Sequence, residues 1–182
     1  SGSLEEWEMK NTGSSDGKSS DASRGTCAVL TGQPEKEKTL CQKIQVKGKS
    51  GDVFVFGCWA KADAVPGKTW QMGAEVLYSS GDPKKVYFDG NPYVSEWQYV
   101  GGIISTKDDT GKNRDYVGLQ ICITYKDQMN PLKITDLQLL KDDGESYVYD
   151  DKGNLTSAES AAEKSSFSYN NKAQVSKMMD VS

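Results

Sequence analysis

Apolar side chains recur at every second position through residues 115 to 125, where Val117, Leu119, Ile121, Ile123 and Tyr125 alternate with Tyr116, Gly118, Gln120, Cys122 and Thr124. A two-residue period places successive side chains on opposite faces of an extended chain, so one face of this segment suits a core and the other suits water. Similar strand-like runs occupy Thr26 to Leu30, Lys38 to Val46, Asp52 to Lys61, Thr69 to Tyr78, Trp97 to Ser105 and Pro131 to Leu140, divided by Gly, Ser, Asp and Pro. No extended stretch keeps a 3.6-residue period, and the polar segment Ser157 to Lys164 is the one place for a short helix. Many short strands with frequent turns predict an all-β fold, an antiparallel two-sheet β-sandwich of the jelly-roll kind. Residues 10 to 25, poor in apolar side chains and rich in Gly and Ser, read as a long surface connection.

Behind that body the chain repeats itself. Residues 147 to 157, Tyr-Val-Tyr-Asp-Asp-Lys-Gly-Asn-Leu-Thr-Ser, return twenty positions later as Phe-Ser-Tyr-Asn-Asn-Lys-Ala-Gln-Val-Ser-Lys at 167 to 177. In each copy two alternate aromatics (Tyr147 and Tyr149, or Phe167 and Tyr169) share a strand face, the polar stretch turns the chain, and Leu155 or Val175 opens the return strand. A unit this short cannot bury an apolar face alone, so it is expected to stack on neighbours in a longer array, of which this chain holds the start. The charged stretch from Lys141 to Glu145 marks the boundary, giving a body at 1–140 and a hairpin-repeat appendage at 141–182.

The net charge is −4, and the body is close to neutral because residues 141 to 182 hold five Lys against eight Asp and Glu. The only arginines are Arg24 and Arg114, and no basic stripe exists to neutralise phosphates, so nucleic acid is not expected as a partner. No run of about 18 apolar residues and no signal peptide occurs, so membrane insertion is not expected in this segment and an export signal would lie upstream. Cys27, Cys41, Cys58 and Cys122 form no Cys-x-x-Cys pair and the chain has no histidine, which argues against zinc. The preferred reading makes all four buried small apolar residues; disulfides, in any of three pairings, are the alternative. Without histidine, Ser-His and Cys-His dyads are excluded, and nothing singles out one glycosidase-type carboxylate pair among 26 acidic residues, so the chain is not expected to be an enzyme.

The first repeat copy, from Tyr147 to Leu155, resembles the YD repeat of Rhs-type wall-associated and toxin-delivery proteins; in the second copy Asn170, Ala173 and Gln174 replace the signature Asp, Gly and Asn. The body resembles the jelly-roll carbohydrate-binding modules found beside glycoside hydrolases. The phrases are Gly2 to Trp7, the trio Ser23, Gly25 and Ala28, the pair Gln42 and Ile44, Phe54 to Lys61, Trp97-Gln98, and Ile134 to Leu139. These resemblances imply a non-catalytic module, extracellular or cell-wall-associated, whose partner is a polysaccharide or cell-surface glycan. A structural cap or spacer for the repeat shell and a glycoside hydrolase are the alternatives. No cofactor is required, although the family often carries a structural calcium ion. The matching ligands are Glu5 and Asp136, with Thr135 standing where a second acid is usual, a loss that weakens such a site. In these phrases Trp7, Trp59 and Trp97 read as core.

A glycan site needs flat rings to stack on C–H faces and nearby amides or carboxylates for the hydroxyls. Alternation from Trp70 to Tyr78 sends Trp70, Met72, Ala74, Val76 and Tyr78 inward and leaves Gln71 and Glu75 on a polar face, beside Gln120 and Tyr116 of another strand. These four, with Tyr87 and Tyr93 from the loop at 87–93, are the candidate ligand residues.

Overall fold

The computed structural model describes residues 6–142, 146–150, 155–159, 164–169 and 175–181. It divides into two compact units, Ser1–Lys141 and Asp142–Ser182.

The first unit contains ten strands: β1 (Glu8–Lys10), β2 (Gly17–Asp21), β3 (Gly25–Leu30), β4 (Glu37–Ile44), β5 (Val53–Ala62), β6 (Trp70–Tyr78), β7 (Lys84–Asp89), β8 (Gln98–Ser105), β9 (Tyr116–Lys126) and β10 (Leu132–Asp142). They form a first sheet in the order β1-β4-β9-β6-β7 and a second in the order β2-β3-β10-β5-β8. The neighbours are nested: β6 lies beside β7, β5 beside β8, β4 beside β9 and β3 beside β10, the winding of a jelly roll. The fold is an antiparallel β-sandwich.

Alternation decides which side chains meet between the layers. Phe54, Phe56, Cys58 and Ala60 of β5 are buried, as are Trp70, Met72, Ala74 and Val76 of β6 and Leu119, Ile121, Ile123 and Tyr125 of β9. Burying each large apolar side chain contributes roughly 1.5–3 kcal/mol, the main favourable term in holding the two layers together.

Three strands fall outside the sequence expectations: β1, β2, and β7, which takes Tyr87 to Asp89 of the presumed ring-bearing loop at 87–93 into strand. All three are sheet edges. The stretch at 10–25 is therefore not only a connection, because Gly17–Asp21 pairs with β3 from Gly17↔Val29 to Asp21↔Gly25. An edge strand packs weakly on the core and can be polar, so β2 needs no apolar row. Below it, the buried Asp16 carboxylate accepts from the Lys38 ammonium at 2.8 Å and from the Thr31 backbone N–H at 2.6 Å, tying the entry of β2 to β4.

The second unit is one sheet, β11 (Ser146–Tyr149), β12 (Leu155–Glu159), β13 (Lys164–Tyr169) and β14 (Val175–Val181), in that order. Its registers reproduce the sequence period. Tyr147↔Ala158, Val148↔Ser157 and Tyr149↔Leu155 in one hairpin become Phe167↔Met178, Ser168↔Lys177 and Tyr169↔Val175 in the next, with the register shift at Val148/Tyr149 returning at Ser168/Tyr169. Of the short helix expected at Ser157 to Lys164, the part from Ser157 to Glu159 lies in β12 and Lys164 opens β13, while 160–163 lie outside the described residues.

Candidate functional site

The outward face of the first sheet assembles most of the candidate ligand residues. Gln71 and Glu75 project from β6 between the two ladders that β6 makes with β9 and β7. Glu75 stands opposite Gln120 on one side and Lys85 on the other; Gln71 stands opposite Thr124 and Asp89. Tyr87, two residues from Lys85 and from Asp89, shares that face, and its hydroxyl donates to Glu75 Oε1 at 2.7 Å. Lys85 Nζ reaches the same oxygen at 3.3 Å. Burial, then the bond to Glu75 and its charge, push the Tyr87 hydroxyl well above the usual phenol value, so it is held as a donor.

At one end of this face lies a cavity of about 320 Å³ lined by Gly67, Lys68, Thr69, Trp70, Gln71, Asp89, Gly90 and Pro92. Its walls have clear causes. The buried Trp70 ring packs against Gly90, where an added Cβ would lie 2.3 Å from Cε2, so any larger residue there would displace the indole. Beyond Gly90 the loop is held by Gln98, which accepts from the Asn91 N–H at 2.8 Å and donates to the carbonyls of Asn91 and Val94 at 3.0 Å each. Tyr93 sits on this loop, after the lining residue Pro92, with 83% of its surface exposed. Lys68 is ion-paired to Asp127.

Tyr116 is not on this face. It is 1% exposed, its ring meets Phe54 edge-on at 5.7 Å, and its hydroxyl donates to Asp52 Oδ2 at 3.0 Å. The cause is a β-bulge: Leu77 pairs with Gly118 but Tyr78 pairs with Tyr116, so Val117 is the extra residue. Strict alternation carried past this point assigns the wrong face; Val117, expected inside, is exposed instead.

The calcium expectation fares differently at its two ligands. Glu5 lies outside the described residues. Asp136 has a positive φ of 52° and its carboxylate faces the Arg24 guanidinium at 3.4 Å. A cation already sits at that carboxylate, and among the described residues no group of three or more acidic, Cys or His side chains could hold a metal ion.

Sequence reasoning missed Asp89, which shares the strand face of Tyr87 by simple alternation, and it misplaced Trp59. Trp59 is half-buried on the outward face of the second sheet, stacked under Arg24 at 3.7 Å and edge-on to Tyr99 at 5.7 Å. The alternation of the buried Phe54, Phe56, Cys58 and Ala60 already sends Trp59 outward. Cys27 and Cys58 are buried free thiols, with Cys58 raised to about 12 by burial. Cys41 and Cys122, expected as buried apolar residues, are disulfide-bonded instead, their Cα atoms 4.2 Å apart across directly paired positions of β4 and β9.

No protein-family model matches this chain, and no curated protein matches it. Among solved structures, the enzymatically active domain of bacteriophage CBA120 tailspike protein 4 is similar, with a TM-score of 0.55 and 14% identity over 76% of this chain. The likeness is one of fold. This chain spans 20% of that tailspike chain. A family 16 carbohydrate-binding module-2 (TM-score 0.45, 18% identity, 64% of this chain and 77% of that one) and a CBM4 (TM-score 0.47, 14% identity, 75% and 95%) are also similar.

Proposed function

We propose that the first unit is a non-catalytic glycan-binding module and that its ligand lies along the outward face of the first sheet. The observation that carries this reading is the convergence on one rigid face of Gln71, Glu75, Gln120 and the Tyr87 ring, ending in a cavity bordered by Asp89 and Pro92. Amides and carboxylates serve sugar hydroxyls, and strand-borne groups are held in place without a cost of ordering on binding. The Cys41–Cys122 disulfide fits an oxidising, extracellular setting. In the same proposal the second unit begins a repeat array of the Rhs/YD kind; its twenty-residue register supports a repeat, and the family name rests on the first copy from Tyr147 to Leu155.

Among the described residues no helix is long and apolar enough to cross a membrane. The test is a glycan array probed with the whole chain, followed by titration calorimetry on any hit. Binding that is weakened in Gln71→Ala and in Gln120→Ala, with thermal stability unchanged, is the expected result. A hit whose affinity ignores both changes would move the site elsewhere, and a blank array would remove the glycan reading.

A further inference from the structure

We infer that the cavity beside β6 and β7 selects one neutral sugar residue, with Asp89 as the group that turns acidic sugars away. The inference rests on the glycan reading of this face and goes further by assigning the chemical class of the sugar and the residue that sets it.

The argument starts from the polar groups of the lining. Gln71 and Asp89 are directly paired across β6 and β7, which sets their Cβ atoms roughly 5 Å apart and lets both reach one small ligand. Neither side chain has a hydrogen bond or ion pair to protein among the described residues. Their capacities are complementary: a carboxylate only accepts, whereas an amide both donates and accepts. Neighbouring hydroxyls of a sugar ring can donate to Asp89 while one accepts from the Gln71 amide.

Charge then decides which sugars fit. Lys68, the one cation in the lining, is already neutralised by Asp127, so Asp89 is the uncompensated charge of the cavity. A uronate or sialate carboxylate brought into that cavity would meet Asp89 with no unpaired lining cation to separate them, and like charges set side by side disfavour that partner. A neutral sugar meets an acceptor ready for its hydroxyl protons. The cavity volume, about 320 Å³, sits at the low end of ligand sites, which suits one ring rather than a length of chain. Gly90 keeps the space open by letting Trp70 stay seated, and Pro92 supplies apolar surface for the C–H side of the ring.

The experiment titrates the whole chain with neutral hexose oligosaccharides and with oligosaccharides of equal length ending in a uronate, for the wild type, Asp89→Asn and Gln71→Ala. Asp89→Asn is nearly isosteric and exposed, and a thermal melt of each variant checks that it folds. The wild type should bind the neutral series tighter by about tenfold or more, Asp89→Asn should shrink that ratio toward one, and Gln71→Ala should weaken neutral binding while keeping the preference. Uronate-ended ligands binding the wild type as tightly as neutral ones, or an unchanged ratio in Asp89→Asn, would overturn the inference while leaving glycan binding intact. Absence of binding to every oligosaccharide would overturn the parent reading, and the inference with it.

Discussion

Removing the Cys41–Cys122 disulfide should cost the first unit a large share of its stability without changing its fold. The bridge spans 81 residues, and closing a loop of that length in the unfolded chain accounts for about 4.5 kcal/mol in the chain-entropy treatment. Measured losses for native disulfides run from about 2 to 5 kcal/mol, so the expected loss is about 2–4.5 kcal/mol. The β4–β9 ladder holds without the bridge, because it continues on both sides of the cysteine pair, from Glu37↔Lys126 to Ile44↔Leu119, and Leu40 and Ile123 stay buried beside it. The assay is urea unfolding of the wild type, with and without reductant, and of the Cys41→Ala/Cys122→Ala double variant. With a urea dependence of about 2 kcal/mol per molar, the midpoint should fall by about 1–2 M in the reduced protein and in the variant. The double variant should not respond to reductant, since Cys27 and Cys58 are free thiols. Coincident midpoints for the oxidised and reduced wild type would refute the reasoning, as would loss of native circular dichroism on reduction in the absence of urea.

Acid should weaken the fold through Asp16. Burial alone would raise this carboxyl, but the Lys38 ammonium, the N–H groups of Gly13 and Thr31 and the Thr31 hydroxyl more than offset it and hold the group at about 2 against an ordinary 3.8. Its contribution, roughly 2 kcal/mol, is therefore complete above the unfolded value near 3.8 and disappears as pH falls toward 2. Urea midpoints taken across that window check it, and a midpoint that stays flat from pH 4 to pH 2 would contradict it. Asp16→Asn leaves the buried Lys38 ammonium facing a neutral amide and should cost about 3 kcal/mol or more at neutral pH, with a correspondingly smaller acid response. Tyr116→Phe should cost about 1 kcal/mol through the lost bond to Asp52 and leave oligosaccharide affinity unchanged; a tenfold loss of affinity in calorimetry would return Tyr116 to the ligand site.

The difference between legible and illegible strands in this chain follows from burial. The seven strands that alternation finds are those carrying core rows, such as β5 with Phe54, Phe56, Cys58 and Ala60, or β9 with Leu119, Ile121 and Ile123. Missed were β1, β2 and β7, each an edge, where pairing to one neighbour is enough to form the strand and the residues are free to be polar. Lys18, Ser19 and Ser20 make β2 because Ala28, Cys27 and Thr26 of β3 stand opposite them, not because of their own pattern. The repeat was legible for another reason. A period in sequence needs only that each copy meet the same local geometry, and both copies carry their register shift at the equivalent aromatic, Tyr149 and Tyr169.

The candidate site was legible where the ladder is regular and was lost where it is not. Gln71, Glu75 and Gln120 fall on one face because β6 and β9 pair without interruption from Trp70↔Tyr125 to Leu77↔Gly118. One residue further, the bulge inverts the assignment of Tyr116 and Val117, and no count of alternating residues can reveal an insertion that leaves hydrophobic side chains at both positions. The bulge has a physical reason to lie there. With the phase inverted, Tyr116 closes the end of the core against Phe54 and delivers its hydroxyl to Asp52, beside Gly48, where an added Cβ would lie 2.4 Å from the same hydroxyl. Kept in phase, Tyr116 would stand outward in the row of Gly118 and Gln120, and Asp52 would lose that donor. The interruption that hides Tyr116 from a sequence reading thus leaves a short, polar, ring-poor row at Gly118 and Gln120, so the Tyr87 ring and the Glu75 and Asp89 carboxylates of this face gather on the β6–β7 side.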